Sequence, residues 1–310
     1  MADLERLNLK PTTAPDSGDE RRLYEQLSSD PAVHRLLKTR GIPEAELPNH
    51  LYTFARWQKE VEPCRGCKNL SSCRQKKKGY HTGLAWEGLL VETLEACRYE
   101  REKEQSLAHL NQYLVSDLGH DFETAFFQNI SGEQEERAYN QTVMEVYQRY
   151  LDGKGVYLYG NMGTGKTYLA ACAANQAAKE GKKPAFIHYP AFCDRLARMY
   201  YSGEYRQEAE RCRYADLLVI DDIGAEEVTA RNRMVLLSIL DSRMQNGKMT
   251  WFTGNGDFNM LQNHLRYDSA GEDTASADRI IERIRVLAKP IRLDGKDRRT
   301  CANPAETPSK

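Results

Sequence analysis

Beyond residue 150 the chain alternates short apolar runs with longer amphipathic or alanine-rich stretches, a pattern that predicts a parallel sheet with helical crossovers. Val156-Tyr157-Leu158-Tyr159, Ala185-Phe186-Ile187-His188-Tyr189, Leu217-Leu218-Val219-Ile220 and Thr250-Trp251-Phe252-Thr253 read as strands. Helices are expected over 166–180, stopped by Gly181, over 192–201, and over 231–244, stopped near Gly247. Another helix covers 278–285, where Ile280, Ile281 and Ile284 form an apolar stripe with arginines around it. The expected fold class is α/β, a parallel sheet flanked by helices, joined to a small and mostly helical N-terminal domain.

The N-terminal part has a different texture. Leu23, Leu27, Val33, Leu36 and Leu37 suit short helices, with Asp30-Pro31 as N-cap and first turn, and Pro43, Leu47, Leu51, Phe54 and Trp57 suggest another helical or mixed piece. Residues 98–111 are a charged run of mixed sign that reads as a solvated helix or linker. The domain junction is placed there, giving an N-terminal domain over 1–97, a linker over 98–116, the α/β domain over 117–300 and a tail over 301–310. Phe122, Phe126, Phe127 and Ile130 precede a helical pattern through Val143, Val146 and Tyr150 that leads into the first strand. Residues 1–20, polar and carrying two prolines, are expected to be a flexible lead-in, and the last ten, with Pro304 and Pro308, a disordered tail.

Composition narrows the picture. A chain of 310 residues exceeds what one small core organises, and its net charge of -1 carries no global basic excess, so any nucleic-acid contact must come from a local patch. No run approaches the ~20 apolar residues of a membrane span, so a cytoplasmic protein with no membrane partner is expected. Of the eight cysteines, Cys64, Cys67, Cys73 and Cys97 crowd one third of the chain, which in a reducing compartment favours a metal over disulfides. Cys172, Cys193 and Cys212 read as small buried hydrophobes, and Cys301 as a tail residue.

The chemistry concentrates at strand ends. Gly160-Asn161-Met162-Gly163-Thr164-Gly165-Lys166-Thr167 lies between a strand and a helix, where glycines let backbone N–H groups close on a polyphosphate. Lys166 would reach the outer phosphates of ATP and Thr167 would offer its hydroxyl to Mg²⁺. The strand at 217–220 ends in Asp221 and Asp222, the first suited to hold the metal through water and the second to orient the attacking water. The strand at 250–253 ends in Gly254-Asn255, whose amide could hold the same water or could merely form a turn. Arg279, Arg283 and Arg285 are candidates for a guanidinium near the γ-phosphate, supplied across a subunit interface; spacing alone does not choose among them.

A second centre is expected at Cys64-Arg65-Gly66-Cys67, a knuckle whose glycine turn lets two thiolates face one Zn²⁺ ion. Cys73, His81 and Cys97 compete for the two remaining positions. Nothing nearby resembles an open catalytic position, so the zinc would be structural. Lys68, Arg74, Lys76, Lys77 and Lys78 surround the site and offset thiolate charge.

Together, residues 160–167, Leu218-Val219-Ile220-Asp221-Asp222-Ile223-Gly224, Thr253-Gly254-Asn255 and Arg279-Ile280-Ile281-Glu282-Arg283-Ile284 resemble the AAA+ ATPase of bacterial replicative helicase loaders, the DnaC/DnaI family, most closely its Gram-positive DnaI branch. The resemblance covers 115–300 strongly, and the cysteine-bearing region is similar to that branch's zinc-binding helicase-interaction domain. It implies that 160–167 is Walker A, Asp221 and Asp222 Walker B, Asn255 sensor 1 and Arg283 the arginine finger acting in trans. It favours Cys64, Cys67, His81 and Cys97 as zinc ligands, with Cys73 an alternative to His81. A full helical lid is not expected, and Arg298 or Arg299 would stand in for sensor 2. Asp222 replaces the glutamate of many relatives, which implies slow ATP hydrolysis. Met199-Tyr200-Tyr201-Ser202-Gly203 and Thr229-Ala230-Arg231-Asn232-Arg233 lie where such loaders face single-stranded DNA. The implied function is primosomal: self-associating AAA+ domains and a zinc domain that grips the hexameric replicative DNA helicase during replication initiation or restart. A transposition helper ATPase of the same clade and a nucleotide-regulated adaptor with negligible turnover are the alternatives.

Overall fold

The apolar runs do assemble into a single sheet in the computed structural model of the chain, which describes residues 17–130 and 137–298. Most of the expected lead-in, the tail over 301–310, Arg299 and Cys301 lie outside the described residues. The chain divides into two compact units between Gln105 and Ser106.

In the smaller unit, α1 (Ser17–Ser29), α2 (Pro31–Arg40) and α3 (Leu51–Val61) enclose Leu27, Val33, Leu37, Phe54 and Trp57. Asp30 caps α2 by accepting the Ala32 N–H at 2.7 Å, Pro31 presets the first turn, and Gly41 closes the helix in the left-handed conformation. The mostly helical expectation omits an antiparallel hairpin, β1 (Tyr80–Trp86) with β2 (Leu90–Ala96), which adds Leu84 to this core. Its alternation is weak in sequence because an apolar residue such as Leu94 faces water while threonines and glutamates line the rest. The charged run folds as α4 (Arg98–Leu107).

The larger unit contains β3 (Val115–Ser116), α5 (Arg137–Leu151), β4 (Gly155–Tyr159), α6 (Lys166–Lys179), β5 (Ala185–His188), α7 (Tyr189–Met199), α8 (Tyr205–Tyr214) and β6 (Leu217–Asp221). It continues through α9 (Ala230–Gln245), β7 (Met249–Gly254), α10 (Phe258–Arg266), the two-residue strands β8 (Tyr267–Asp268) and β9 (Gly271–Glu272), α11 (Thr274–Leu287) and β10 (Ala288–Arg292). The six-stranded sheet runs β10-β4-β7-β6-β5-β3, every pair parallel. Both faces are covered. Leu218, Ile220 and Phe252 pack with Ile239, Ile280 and Ile284 on one side, and Leu217, Val219 and Trp251 with Val146, Leu169 and Ala173 on the other. This is why the strands read as continuous apolar runs rather than as alternation. Tyr189, expected in a strand, instead opens α7, because Pro190 takes a first-turn position there. Neither α8 nor β10 is signalled in the sequence: α8 is rich in charge, and β10 holds Pro290, tolerable only because this strand lies at the sheet edge. No helix among the described residues is long and apolar enough to cross a membrane.

Arg243, fully buried on α9, ties α8 to β7. It donates to the carbonyls of Cys212 (2.7 Å), Ala215 (2.9 Å) and Met249 (2.6 Å) and to Thr250 Oγ1 (2.8 Å), with no carboxylate bonded to it among the described residues, and burial pushes its pKa down to about 10. Arg243→Met would fill the volume but orphan these acceptors, and we expect a loss of about 3 kcal/mol in urea unfolding of the larger unit. On α10, His264 lies 3.3 Å from the buried Glu226 carboxylate, which raises its pKa above the ordinary 6.5. The protonated ring stabilises the fold fully below about pH 6.5, and this contribution fades as pH rises through the raised value. His264→Gln is expected to flatten that part of the stability profile, measured by denaturant midpoints between pH 5 and 8.

Candidate nucleotide site

The sheet order sets β4 between β10 and β7, with β6 next, so the loops after β4, β6 and β7 leave the same end of the sheet. β4 ends at Tyr159 and loop 160–165 leads directly into α6. Gly160 has φ 142°, and a methyl group there would collide with the Leu293 carbonyl oxygen; Gly165, at φ 99°, is the residue from which α6 begins. Backbone N–H groups at this helix end are free of intrahelical partners, which suits an anion. The Lys166 ammonium is buried and donates to the carbonyls of Gly160 (2.9 Å) and Asn161 (2.8 Å), and Thr164 Oγ1 donates to Asn161 O (3.0 Å). Met162 projects outward.

Asp221 is the last residue of β6. Burial holds its carboxyl above the ordinary range, although hydrogen bonds from Thr253 and Thr167 and the nearby His188 oppose this. A cation beside it would favour the ionised form, so Asp221 with the Thr167 hydroxyl fits a metal-facing pair. His188 Nδ1 lies 3.7 Å from Asp221 Oδ2, and its backbone N–H donates to Asp117 at 3.0 Å. Thr253 is a residue whose role sequence reasoning misses: its hydroxyl donates to Asp221 Oδ1 at 2.7 Å and accepts the Asp222 N–H at 2.9 Å. Asp222 has φ 58°, the one non-glycine residue with positive φ among the described residues, a conformation that costs about 1 kcal/mol or more. Asn255 Nδ2 donates to Asp222 Oδ1 at 3.2 Å, so the two strand-end residues expected to share a water do lie together.

Arg298 reaches the same loop. Its N–H donates to Gly163 O at 3.0 Å, Nη1 donates to the Thr164 carbonyl, and the guanidinium stacks 3.9 Å from the centre of the Tyr139 ring. Of the three arginines considered for trans action, Arg285 lies over Phe258, Arg279 lines a surface groove, and Arg283 bonds Asp241 (2.7 Å) and Glu282 (2.9 Å) of its own chain.

The segments expected to face DNA converge in part. Tyr200 stacks on Tyr205 with ring centres 5.3 Å apart, Arg231 lies 4.4 Å over Tyr200, and Tyr201 is 91% exposed. Arg233 does not belong with them: it is 4% exposed, bonded to Leu265 O (3.0 Å) and to the Asp268 carboxylate, and so anchors β8 rather than a ligand. Arginines two apart on a helix face different ways, which the linear motif conceals.

In the smaller unit, Cys64, Cys67, Cys73, Cys97 and His81 line one cavity of about 320 Å³. Gln75 Nε2 donates to Cys64 Sγ (3.2 Å) and the Gly79 N–H to Cys73 Sγ (3.5 Å), while the Cys67 N–H closes the knuckle turn on Cys64 O (3.2 Å). Among the described residues, no three His, Cys, Asp or Glu side chains are set closely enough to hold one metal ion.

Comparison with known proteins agrees with this geometry. The profile of the IstB-like ATP binding proteins matches residues 74–300. The chain is 30% identical to the replicative helicase loader DnaI of Bacillus subtilis over 287 residues, covering 90% of this chain and 92% of that protein. A crystal structure of DnaI superposes with a TM-score of 0.51 at 29% identity, over 61% of this chain and 98% of that one. An insertion-sequence ATP-binding protein of Pseudomonas fluorescens is 27% identical over 86 residues, 28% of this chain and 37% of that protein. The chain, an α/β fold of the AAA+ type, thus belongs to the IstB-like ATP-binding family and is similar to the DnaI helicase loader.

Proposed function

We propose that the protein is an ATP-dependent loader that places a hexameric replicative DNA helicase on single-stranded DNA. The observation that carries this reading is the extent of the likeness to DnaI: it spans 90% of the chain and takes in both units, whereas insertion-sequence ATP-binding relatives match from about a quarter to about half of it. A DNA-bound helper ATPase of a transposition system is the second reading, favoured by those relatives and by the family's description.

In this reading Lys166 and the α6 N-terminus hold the phosphates, and Thr167 with Asp221 would hold Mg²⁺, which would supply neutralisation of the charge developing on the transferred group. Asp222 and Asn255 orient a water whose oxygen bonds the γ-phosphorus as Asp222 takes one of its protons, while the bond to the bridging β–γ oxygen breaks with its electron pair kept by that oxygen, leaving ADP and inorganic phosphate. Arg283 acts on the nucleotide of a neighbouring copy, Arg298 reports the loop's state in cis, and self-association completes the site. Tyr200, Tyr201 and Arg231 offer stacking faces and a cation for single-stranded DNA. The thiols around the smaller unit's cavity have the soft donor chemistry of a structural zinc site, with Cys64, Cys67 and Cys97 joined by His81 or Cys73 as the ligands drawing together on metal binding.

Co-elution with the cognate replicative helicase in the presence of ATP is the expected result for the full chain; filaments on double-stranded DNA and no helicase complex would instead select the transposition reading. Lys166→Ala is expected to abolish ATP binding and phosphate release, whereas Arg283→Ala should keep nucleotide affinity and lower turnover in the assembled state by about 10³-fold or more. For the metal, elemental analysis should find about one zinc ion per chain, lost in Cys64→Ser, with chelation unfolding the smaller unit while ATP binding persists. Metal-free protein with that unit intact would reject the zinc assignment.

A further inference from the structure

A groove of about 700 Å³ runs between α8, α9 and α11, walled by Arg213, Tyr214, Met234, Asp241 and Arg279. Asp241 stands at its edge and accepts a hydrogen bond from Arg283 Nε at 2.7 Å; the two side chains are 32% and 22% exposed. Nη1 of the same guanidinium donates at 2.9 Å to Glu282, a carboxylate 68% exposed and therefore easily surrendered to water. Nη2 makes no hydrogen bond to any described residue. An arginine side chain has four rotatable bonds, and a free one would spread over many rotamers; a carboxylate bound at Nε fixes the plane while leaving the outer fork for another oxygen anion.

We infer that Asp241 is a positioning residue for Arg283, holding its guanidinium so that the outer nitrogens meet the γ-phosphate bound by a neighbouring copy. The inference rests on the proposed trans role of Arg283 and adds to it the group that orders that side chain before assembly. Asp241 meets the inner nitrogen, so its own contact leaves the two terminal nitrogens, one of them on the exposed Glu282, for an oxygen anion. Arg279, one turn earlier on α11, faces the same groove and adds positive charge to that approach.

The test uses the full chain in its assembled state and two readouts: phosphate release, and the dissociation rate of trapped ADP–aluminium fluoride, which needs no turnover. Asp241→Ala is expected to lower kcat by about ten-fold and to speed analogue release, with the KM for ATP and the thermal midpoint unchanged. Asp241→Asn, which keeps an acceptor oxygen, should fall between it and wild type. Combined with Arg283→Ala, Asp241→Ala should cost nothing further, because it acts only through that side chain. Turnover equal to or above wild type in Asp241→Ala, or an additive double variant, overturns the inference while leaving the trans arginine in place if Arg283→Ala alone is impaired. An unimpaired Arg283→Ala removes both.

Discussion

The Thr253 hydroxyl is the contact on which the geometry of the larger unit's site depends. By donating to Asp221 and accepting from the Asp222 N–H, one side chain fixes the ends of two neighbouring strands and turns the chain sharply between two adjacent carboxylates. The positive φ of Asp222 follows from this turn, and the strain is sustained by the hydrogen bonds on either side of it. Asp221 is consequently kept inside, desolvated and above its usual pKa, while Asp222 is directed outward to Asn255. Two residues of the same chemistry, adjacent in the chain, thus acquire different environments, one desolvated beneath the strand end and one turned toward Asn255.

Around this brace the sheet acts as a rigid frame. Its strands are buried on both faces, so their ends are placed by packing rather than by the loops that follow. The crossing of the chain from β4 to α6 and the return of the segment after β10 to the same loop are coupled through Gly160, which has no room for a side chain against Leu293. Arg298 then reaches the loop's carbonyls from that returning segment and stacks on Tyr139 of α5, so elements from both ends of the unit converge on the loop between β4 and α6. Buried arginines set the rest: Arg243 gathers carbonyls from the end of α8 and the start of β7, and Arg233 secures the small β8–β9 hairpin.

The smaller unit follows a different economy of stabilisation. Its helices share a modest apolar core, and the loop-rich stretch from 62 to 79 contributes few large side chains to it. That stretch carries three of the four clustered cysteines, and the fourth lies just beyond β2, so a metal would crosslink the part of the unit that the core does not hold.

What the sequence determined on its own was whatever has a local cause. Apolar runs of strand length, the Asp30-Pro31 cap, the glycine-rich loop between strand and helix, and the paired aspartates at a strand end are all legible because neighbouring residues suffice to produce them. The tertiary structure alone decided what depends on residues far apart. It placed Thr253 between Asp221 and Asp222, buried Arg233 while leaving Arg231 over Tyr200, and paired Arg283 with Asp241 across 42 positions. The hairpin of the smaller unit, α8 and β10 escaped notice for a related reason: their charged or mixed composition is stabilised by partners that a linear pattern does not contain, so tertiary packing overrides their weak local preference.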